Sequence, residues 1–458
     1  MIQLKEVKTP ELEQGLVPVD LSDETVRERK EKLLTRMKEE GYDVIVVYGD
    51  LEHGSNFEYL CGFLPRFEEA LLVLHDDGKA YMVLGNENLN KAGKSRIEVA
   101  AAVHMPHFSL PNQPMNTDKT AAEILSQCGL EKAERVGLVG WKHFTGRLED
   151  NQALYDLPYF VVEAIKEICG NAKISNASHL FIGEDGVRTT NNANEFAHYE
   201  FGAALAGNCI TDAMEDLKEG MTEMEAAGKL AAYGQRHSVV TILAAGERFV
   251  KANMYPGCKA IRRGDRLSIT TGYKGGLQSR SGYAVSSREE LPEAERDYLE
   301  RVAIPYFQAV KTWLETIHIG MKGKELYGKI EEVLPREQYG WTLNPGHLCA
   351  DEEWMSSPIY PESEEVIKSG MLFQIDIIPS VAGYGGASCE SGVFLADEAL
   401  RRNIQKEYPQ IWSRIEKRRA YMKGELGIDI SEEILPTSMA AAFFRPYLLD
   451  KKSALKNV

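Results

Sequence analysis

No two of the seven cysteines (Cys61, Cys128, Cys169, Cys209, Cys258, Cys349 and Cys389) form a CxxC pair, and their number is odd. That excludes a zinc knuckle and argues against a disulfide framework, so a reducing cytoplasm is the expected setting. No uncharged apolar run reaches the length needed to span a bilayer, and the opening MIQLKEVKTPELEQ has no basic stretch followed by an apolar one. Neither a membrane anchor nor a secretory leader is therefore expected. Basic charge is also scarce: 53 Lys and Arg against 69 Asp and Glu leave a formal net charge of -16. Nucleic-acid binding through phosphate contacts needs a clustered basic surface, and this balance argues against it. No GxSxG elbow, P-loop or dinucleotide fingerprint follows a strand, which removes the commonest nucleophile and nucleotide sites.

What is present reads as globular: 43% hydrophobic and 27% charged residues over a length of 458, enough for two or three domains. Helical spacing runs from about Glu24 to Glu40, with Val26, Leu33, Leu34 and Met37 on one side, and stops at Gly41. Asp43 to Tyr48 reads as a buried strand. Ala70 to Leu74 and Ala80 to Leu84 flank the turn Asp76-Asp77-Gly78 as a hairpin. A helix near Ala121 to Gln127 precedes a further strand at Val136 to Val139. This alternation predicts an α/β domain over residues 1–185, closed by the linker Gly183-Glu184-Asp185-Gly186. Residues 186–400 form a second domain, with long helices at about Asn194 to Leu217 and Glu293 to Thr316. Residues 401–458 form a helical extension packed on it, carrying Pro436, Pro446 and the aromatic cluster Phe443, Phe444 and Tyr447.

The second domain repeats itself. Gly220-Met221 and Gly320-Met321 open two helical segments that share Gly-Lys eight residues on, at Gly228-Lys229 and Gly328-Lys329. Two glycine-led strands follow, Gly264 to Thr270 and Gly370 to Asp376. Two such units point to an internal duplication with a shared core and a cleft between the halves.

With these segments the chain resembles the creatinase, prolidase and aminopeptidase P family over nearly its whole length. The resemblance implies a pita-bread domain: an α/β N-terminal domain followed by an α+β domain with pseudo-twofold duplication. It also marks five ligand positions of the metal-dependent members. Two aspartates are matched by Thr270 and by Arg280 in Ser279-Arg280. The histidine is matched by His347 in Gly346-His347, and two glutamates by Asp376 and Glu390. Two divalent ions about 3.5–4 Å apart need several carboxylates, and losing two of them makes a two-metal centre untenable. A guanidinium at Arg280 is instead expected to fill the vacated volume and pair with Glu390, Asp376 or both. Creatinase, a metal-free member, uses a histidine with glutamates. Its second histidine is matched here by Asn253, its guanidinium-contacting glutamate by Gly282 and the next arginine by Tyr283. Its subunit-bridging loop is matched by Pro65 to Glu69, so Arg66 and Phe67 become candidates for binding substrate. The acidic cluster Asp351-Glu352-Glu353-Trp354, after His347, is either a solvated charge run or a seat for a cationic group. Cys349 and Cys389 beside the site read as buried packing rather than nucleophiles.

The expectation is thus a metal-independent, creatinase-like hydrolase cleaving a C–N bond of a small amide, guanidino or amino-acid-derived substrate. His347 is its general acid/base, titrating near neutral pH, Glu390 and Asp376 orient it, and Arg280, Asn253, Tyr283, Arg66 and Phe67 bind substrate. No cofactor and no metal ligand are expected; the partners are a small-molecule substrate and a second copy in a homodimer, without nucleic acid or membrane. Two alternatives stand beside it. One is a mononuclear Xaa-Pro metallopeptidase with His347, Asp376 and Glu390 as ligands. The other is a non-catalytic binding protein, whose cleft would be filled by tail residues such as Phe443 or Phe444.

Overall fold

The computed structural model describes residues 1–248, 251 and 255–458; Asn253 lies outside them. The chain divides into two units, Leu21–Thr189 and Met1–Asp20 with Thr190–Val458.

In the first unit the β-branched run of strand Val44–Gly49 is buried throughout, as a central strand demands. It pairs antiparallel with Ala70–His75, which forms the expected hairpin with Ala80–Leu84. On its other side it runs parallel to Arg135–Val139, and that strand parallel to Lys173–Asn176. A helix of residues Asp23–Glu40 ends at Gly41 in the left-handed conformation, φ 72°, as the sequence predicts. The expected linker is not one. Gly186 donates to the Gly183 carbonyl in a tight turn, and buried Arg188 donates to Asn56 Oδ1, so the unit continues to Thr189.

The second unit carries the duplication in its hydrogen bonds. Gly220 N–H donates to Ile261 O at 2.9 Å and Gly320 N–H to Ile367 O at 2.8 Å; Ile261 and Ile367 donate back to Met221 and Met321. The four leading glycines, Gly220, Gly320, Gly264 and Gly370, share φ between 87° and 92°, a region where a Cβ is strained. Each copy has a long helix, Ala193–Asp216 or Ile304–Thr316, and contributes to a four-stranded sheet. One sheet orders Ser388–Glu390, Gly276–Tyr283, Arg266–Tyr273 and Ile242–Ala245. The other orders His347–Leu348, Leu372–Gln374, Gly392–Leu395 and Ile434–Pro436. The helix expected over Glu293 to Thr316 is broken instead. A wide π-type turn at Leu299–Ala303 precedes Pro305, which has no N–H to continue the i to i−4 ladder.

Two domain expectations change here. The first 20 residues belong to the second unit, because Ile2–Glu6 pairs antiparallel with Ser453–Asn457 and Glu13 is ion-paired to buried Arg418. The tail is no separate extension either. Its strand Ile434–Pro436 adds to a sheet, and Phe443 and Phe444 are buried. The tail also closes over the hairpin, where the Pro446 carbonyl accepts from Tyr283 N–H at 3.0 Å. A Cβ built on Gly282 meets that same carbonyl at 2.5 Å, which leaves no room for an acidic side chain of the creatinase kind. Gly282→Ala should therefore lower stability by about 1–3 kcal/mol, as overpacking does. Chemical denaturation reads this directly, and an unchanged midpoint would mean that the tail gives way freely.

Candidate active site

Gly346 sits at φ 119°, and a Cβ there would approach Gln374 O at 3.0 Å and Trp313 Nε1 at 3.2 Å. The turn it permits delivers His347 onto a short strand whose register sets His347 opposite Gln374. The imidazole is 1% exposed, beside the Trp354 ring at 5.6 Å between centroids. Its Nδ1 donates to the Leu348 carbonyl at 3.2 Å, so the other nitrogen presents a lone pair. That nitrogen, Nε2, has no hydrogen-bond partner among the described residues; Asp376 Oδ2 is 3.8 Å away and Glu390 Oε1 4.0 Å away. Burial pushes the His347 pKa down to about 4, so the ring is neutral through the physiological range. A histidine titrating near neutral pH, as the sequence led us to expect, is not what the fold provides.

Three carboxylates converge on it. Asp376 follows the strand Leu372–Gln374, and burial, with Glu353 nearby, pushes it up to about 7. Glu390 ends the strand Ser388–Glu390, is raised well above its usual range by burial, then by Asp376 and Glu353, and has an unpartnered Oε1. Glu353, from the acidic cluster after His347, is raised by burial. Donor atoms of His347, Glu353 and Glu390 lie within 4.8 Å of one another. At that range two like charges repel by about 3–4 kcal/mol at an effective dielectric of about 20.

The expected neutralising cation is not among them. Cross-strand pairing sets Ser279 opposite both Thr270 and Glu390, so these three side chains share one face. Arg280 pairs with Ile269 and Cys389 and turns to the opposite face. There it is 1% exposed and donates to Ser279 O (2.7 Å), Glu390 O (2.9 Å), Gln278 Oε1 (3.0 Å) and Ala440 O (2.6 Å). It ties the tail to the back of the sheet, and no carboxylate pairs with it among the described residues. The lost aspartates are thus represented by Thr270 and Ser279, whose hydroxyls lie 2.8 Å apart. Counting out from the two-residue turn Lys274-Gly275 finds this pair in the sequence; counting from the family motif misses it by one residue.

The remaining candidates are dispersed. Tyr283 lies four residues along the strand from Ser279, about 13 Å at the usual rise, with its buried hydroxyl donating to Glu295. It belongs to the core, not the site. Arg66 and Phe67 are exposed on the Leu21–Thr189 unit, the guanidinium 4.5 Å over the ring and Phe67 at φ 69°. Asn253 lies outside the described residues. Cys349 and Cys389 are buried with raised pKa values, Cys389 to about 11, and are not thiolates. Of the acidic cluster, Glu353 joins the site together with Trp354. Asp351 is held by Lys274 Nζ at 3.2 Å and accepts from Tyr199 at 3.1 Å.

The donor set tests what the pocket can hold. Two ions do not fit, because the face that would bridge them offers the neutral hydroxyls of Thr270 and Ser279. One divalent ion does fit: an imidazole lone pair and a carboxylate oxygen, both buried, are unpartnered amid three acids.

The model of metallopeptidase family M24 matches residues 197–400, and that of the creatinase/prolidase N-terminal domain matches residues 29–183. Together the two models cover most of the chain, which belongs to the creatinase/prolidase/aminopeptidase P family, and its second unit is the pita-bread domain. Among solved structures, an Xaa-Pro dipeptidase from Bacillus anthracis is 18% identical with a TM-score of 0.60, covering 81% of this chain and 96% of its own. A prolidase from Thermococcus sibiricus is 19% identical with a TM-score of 0.63, covering 83% and 96%. One from Pyrococcus horikoshii is 18% identical at 0.61, covering 81% and 95%. A search of curated proteins gave no match.

Two outcomes follow from the electrostatics. A carboxyl whose folded pKa exceeds its unfolded value stabilises the fold at low pH, and that stability is lost as pH rises through the folded value. For Asp376 the window runs from 3.8 to about 7. His347 acts with the opposite sign, but only below its ordinary 6.5. The chelator-treated chain should therefore lose melting temperature from about pH 6 to about 7, where His347 no longer offsets Asp376, and Asp376→Asn should flatten that fall. A wild-type curve that stays level across the window would show the acids to be compensated. Separately, Arg280→Met should cost about 1–3 kcal/mol by stranding buried carbonyls, yet leave divalent-ion affinity unchanged by calorimetry. A large loss of affinity would put Arg280 back in the site.

Proposed function

We propose that this chain is a hydrolase that holds one divalent cation through His347, Asp376 and Glu390 and cleaves the Xaa-Pro bond of a short peptide. One observation carries the reading: the bare Nε2 of His347 and Oε1 of Glu390 face each other at 4.0 Å among three acids. A bound divalent ion supplies a water of lowered pKa and polarises the scissile carbonyl. The protein's own groups prepare the ground for that. The Nδ1 hydrogen bond to Leu348 O fixes the imidazole tautomer and leaves Nε2 as donor atom. The Trp354 ring lies beside the imidazole and shields it from water. The Thr270 and Ser279 hydroxyls donate one hydrogen bond to each other, which leaves one O–H for a polar group of the substrate. The relatives named as Xaa-Pro dipeptidase and prolidase support this bond type over a guanidino substrate. The metal-independent reading needed a guanidinium among the acids, and Arg280 points the other way. A homodimer remains part of the reading on the family resemblance alone.

Purified chain stripped with chelator should be inactive on Xaa-Pro dipeptides and regain turnover with manganese, cobalt or zinc. Binding of one ion per chain, measured by elemental analysis, should accompany that recovery. His347→Asn should reduce turnover by about a hundredfold or more. Full activity in the stripped state, or two ions per chain, would sink the proposal.

A further inference from the structure

The family's ligand positions give this site one histidine and two acids, since Thr270 and Ser279 have lost the other two carboxylates. A third acid is nevertheless present, from a different loop. Glu353 lies six residues beyond His347, between the ring-contacting Trp354 and Glu352, and one of its oxygens lies within 4.8 Å of donor atoms of both His347 and Glu390. Its carboxylate makes no hydrogen bond or ion pair with any described residue. A half-buried carboxylate turned away from water toward two other acids is costly unless something positive joins them. The unpartnered nitrogen of His347 and oxygen of Glu390, both more than nine-tenths buried, face the same point.

We infer that Glu353 is a recruited metal ligand, which replaces from the loop after His347 one anionic donor lost from the hairpin. The inference rests on the single-ion reading above. It makes the centre one imidazole with up to three carboxylate oxygens, a hard donor set suited to manganese or zinc. With one divalent ion the three carboxylates leave one excess negative charge, which suits a substrate bearing an ammonium group.

The test is isothermal titration of manganese and of cobalt into chelator-treated full-length chain, with Glu353→Gln, Glu353→Asp and Glu352→Gln beside the wild type. Wild type should bind one ion. Glu353→Gln should bind it about a hundredfold or more weakly, Glu353→Asp by an intermediate factor, and Glu352→Gln as wild type does. The visible absorption of the cobalt-loaded protein should shift for Glu353→Gln, a change in ligand set that mere loosening of the loop would not give. The stripped Glu353→Gln protein should melt higher than stripped wild type, having lost an unpaired acid, which also shows it to be folded. If wild type takes one ion and Glu353→Gln binds it equally with an unshifted spectrum, Glu353 is not a ligand and the single-ion reading stands. If wild type takes none, both fall together.

Discussion

Negative charge gathered without its counter-charge is the constraint around which the second unit is built. Asp376, Glu390 and Glu353 meet at an imidazole that burial keeps neutral, so no group on that face offsets them among the described residues. Glu353 and Glu390, if both ionised, repel by about 3–4 kcal/mol at their separation. Protons can carry that burden, as the raised pKa values of Asp376 and Glu390 imply, but a fold needs no such cluster for its own sake. Apolar residues of similar volume would serve the core better. A buried acid cluster of this kind is where the proposed divalent ion would sit.

The one buried guanidinium nearby shows how narrowly geometry decides such a question. Arg280 and Ser279 are consecutive, yet a strand sends neighbouring side chains to opposite faces, so a one-residue offset exchanges a site cation for a structural one. Behind the sheet Arg280 satisfies the carbonyls of Glu390 and Ala440 and so fastens the tail. The tail in turn lies against Gly282 and pairs with Gly392–Leu395. Phe444 packs on Tyr306, whose hydroxyl accepts from Cys389 N–H behind Glu390. The tail therefore braces the back of the site.

Much of the fold was legible in the sequence because it rests on local signals. The hairpin around Asp76-Asp77-Gly78, the stop at Gly41 and the duplicated Gly-Met openings each turn on a positive-φ backbone conformation that glycine adopts without strain. His347, Asp376 and Glu390 were legible for a different reason: each sits in a short motif that resembles a ligand position of the family. What stayed hidden depended on pairing at long range. The joining of Ile2–Glu6 to Ser453–Asn457 leaves no trace in either segment. The pairing of Thr270 with Ser279 required counting from the hairpin turn, and the hairpin is too short for the family spacing.

Glu353 lies between these cases. Composition alone flagged its cluster as either solvent-facing charge or a seat for a cation, and three of its residues turn out to divide the tasks. Asp351 is taken up by Lys274 and Tyr199 and anchors the loop. Trp354 lies beside His347, and that contact draws the residue before it inward. A carboxylate that a single loop can deliver is easier to gain than one that must be restored in the middle of a paired strand. In a strand the new side chain must also suit both neighbours and the register. Compensation of a lost ligand from outside the original set is what that asymmetry favours, and it explains how a centre stripped of its hairpin carboxylates still presents three acids to one histidine.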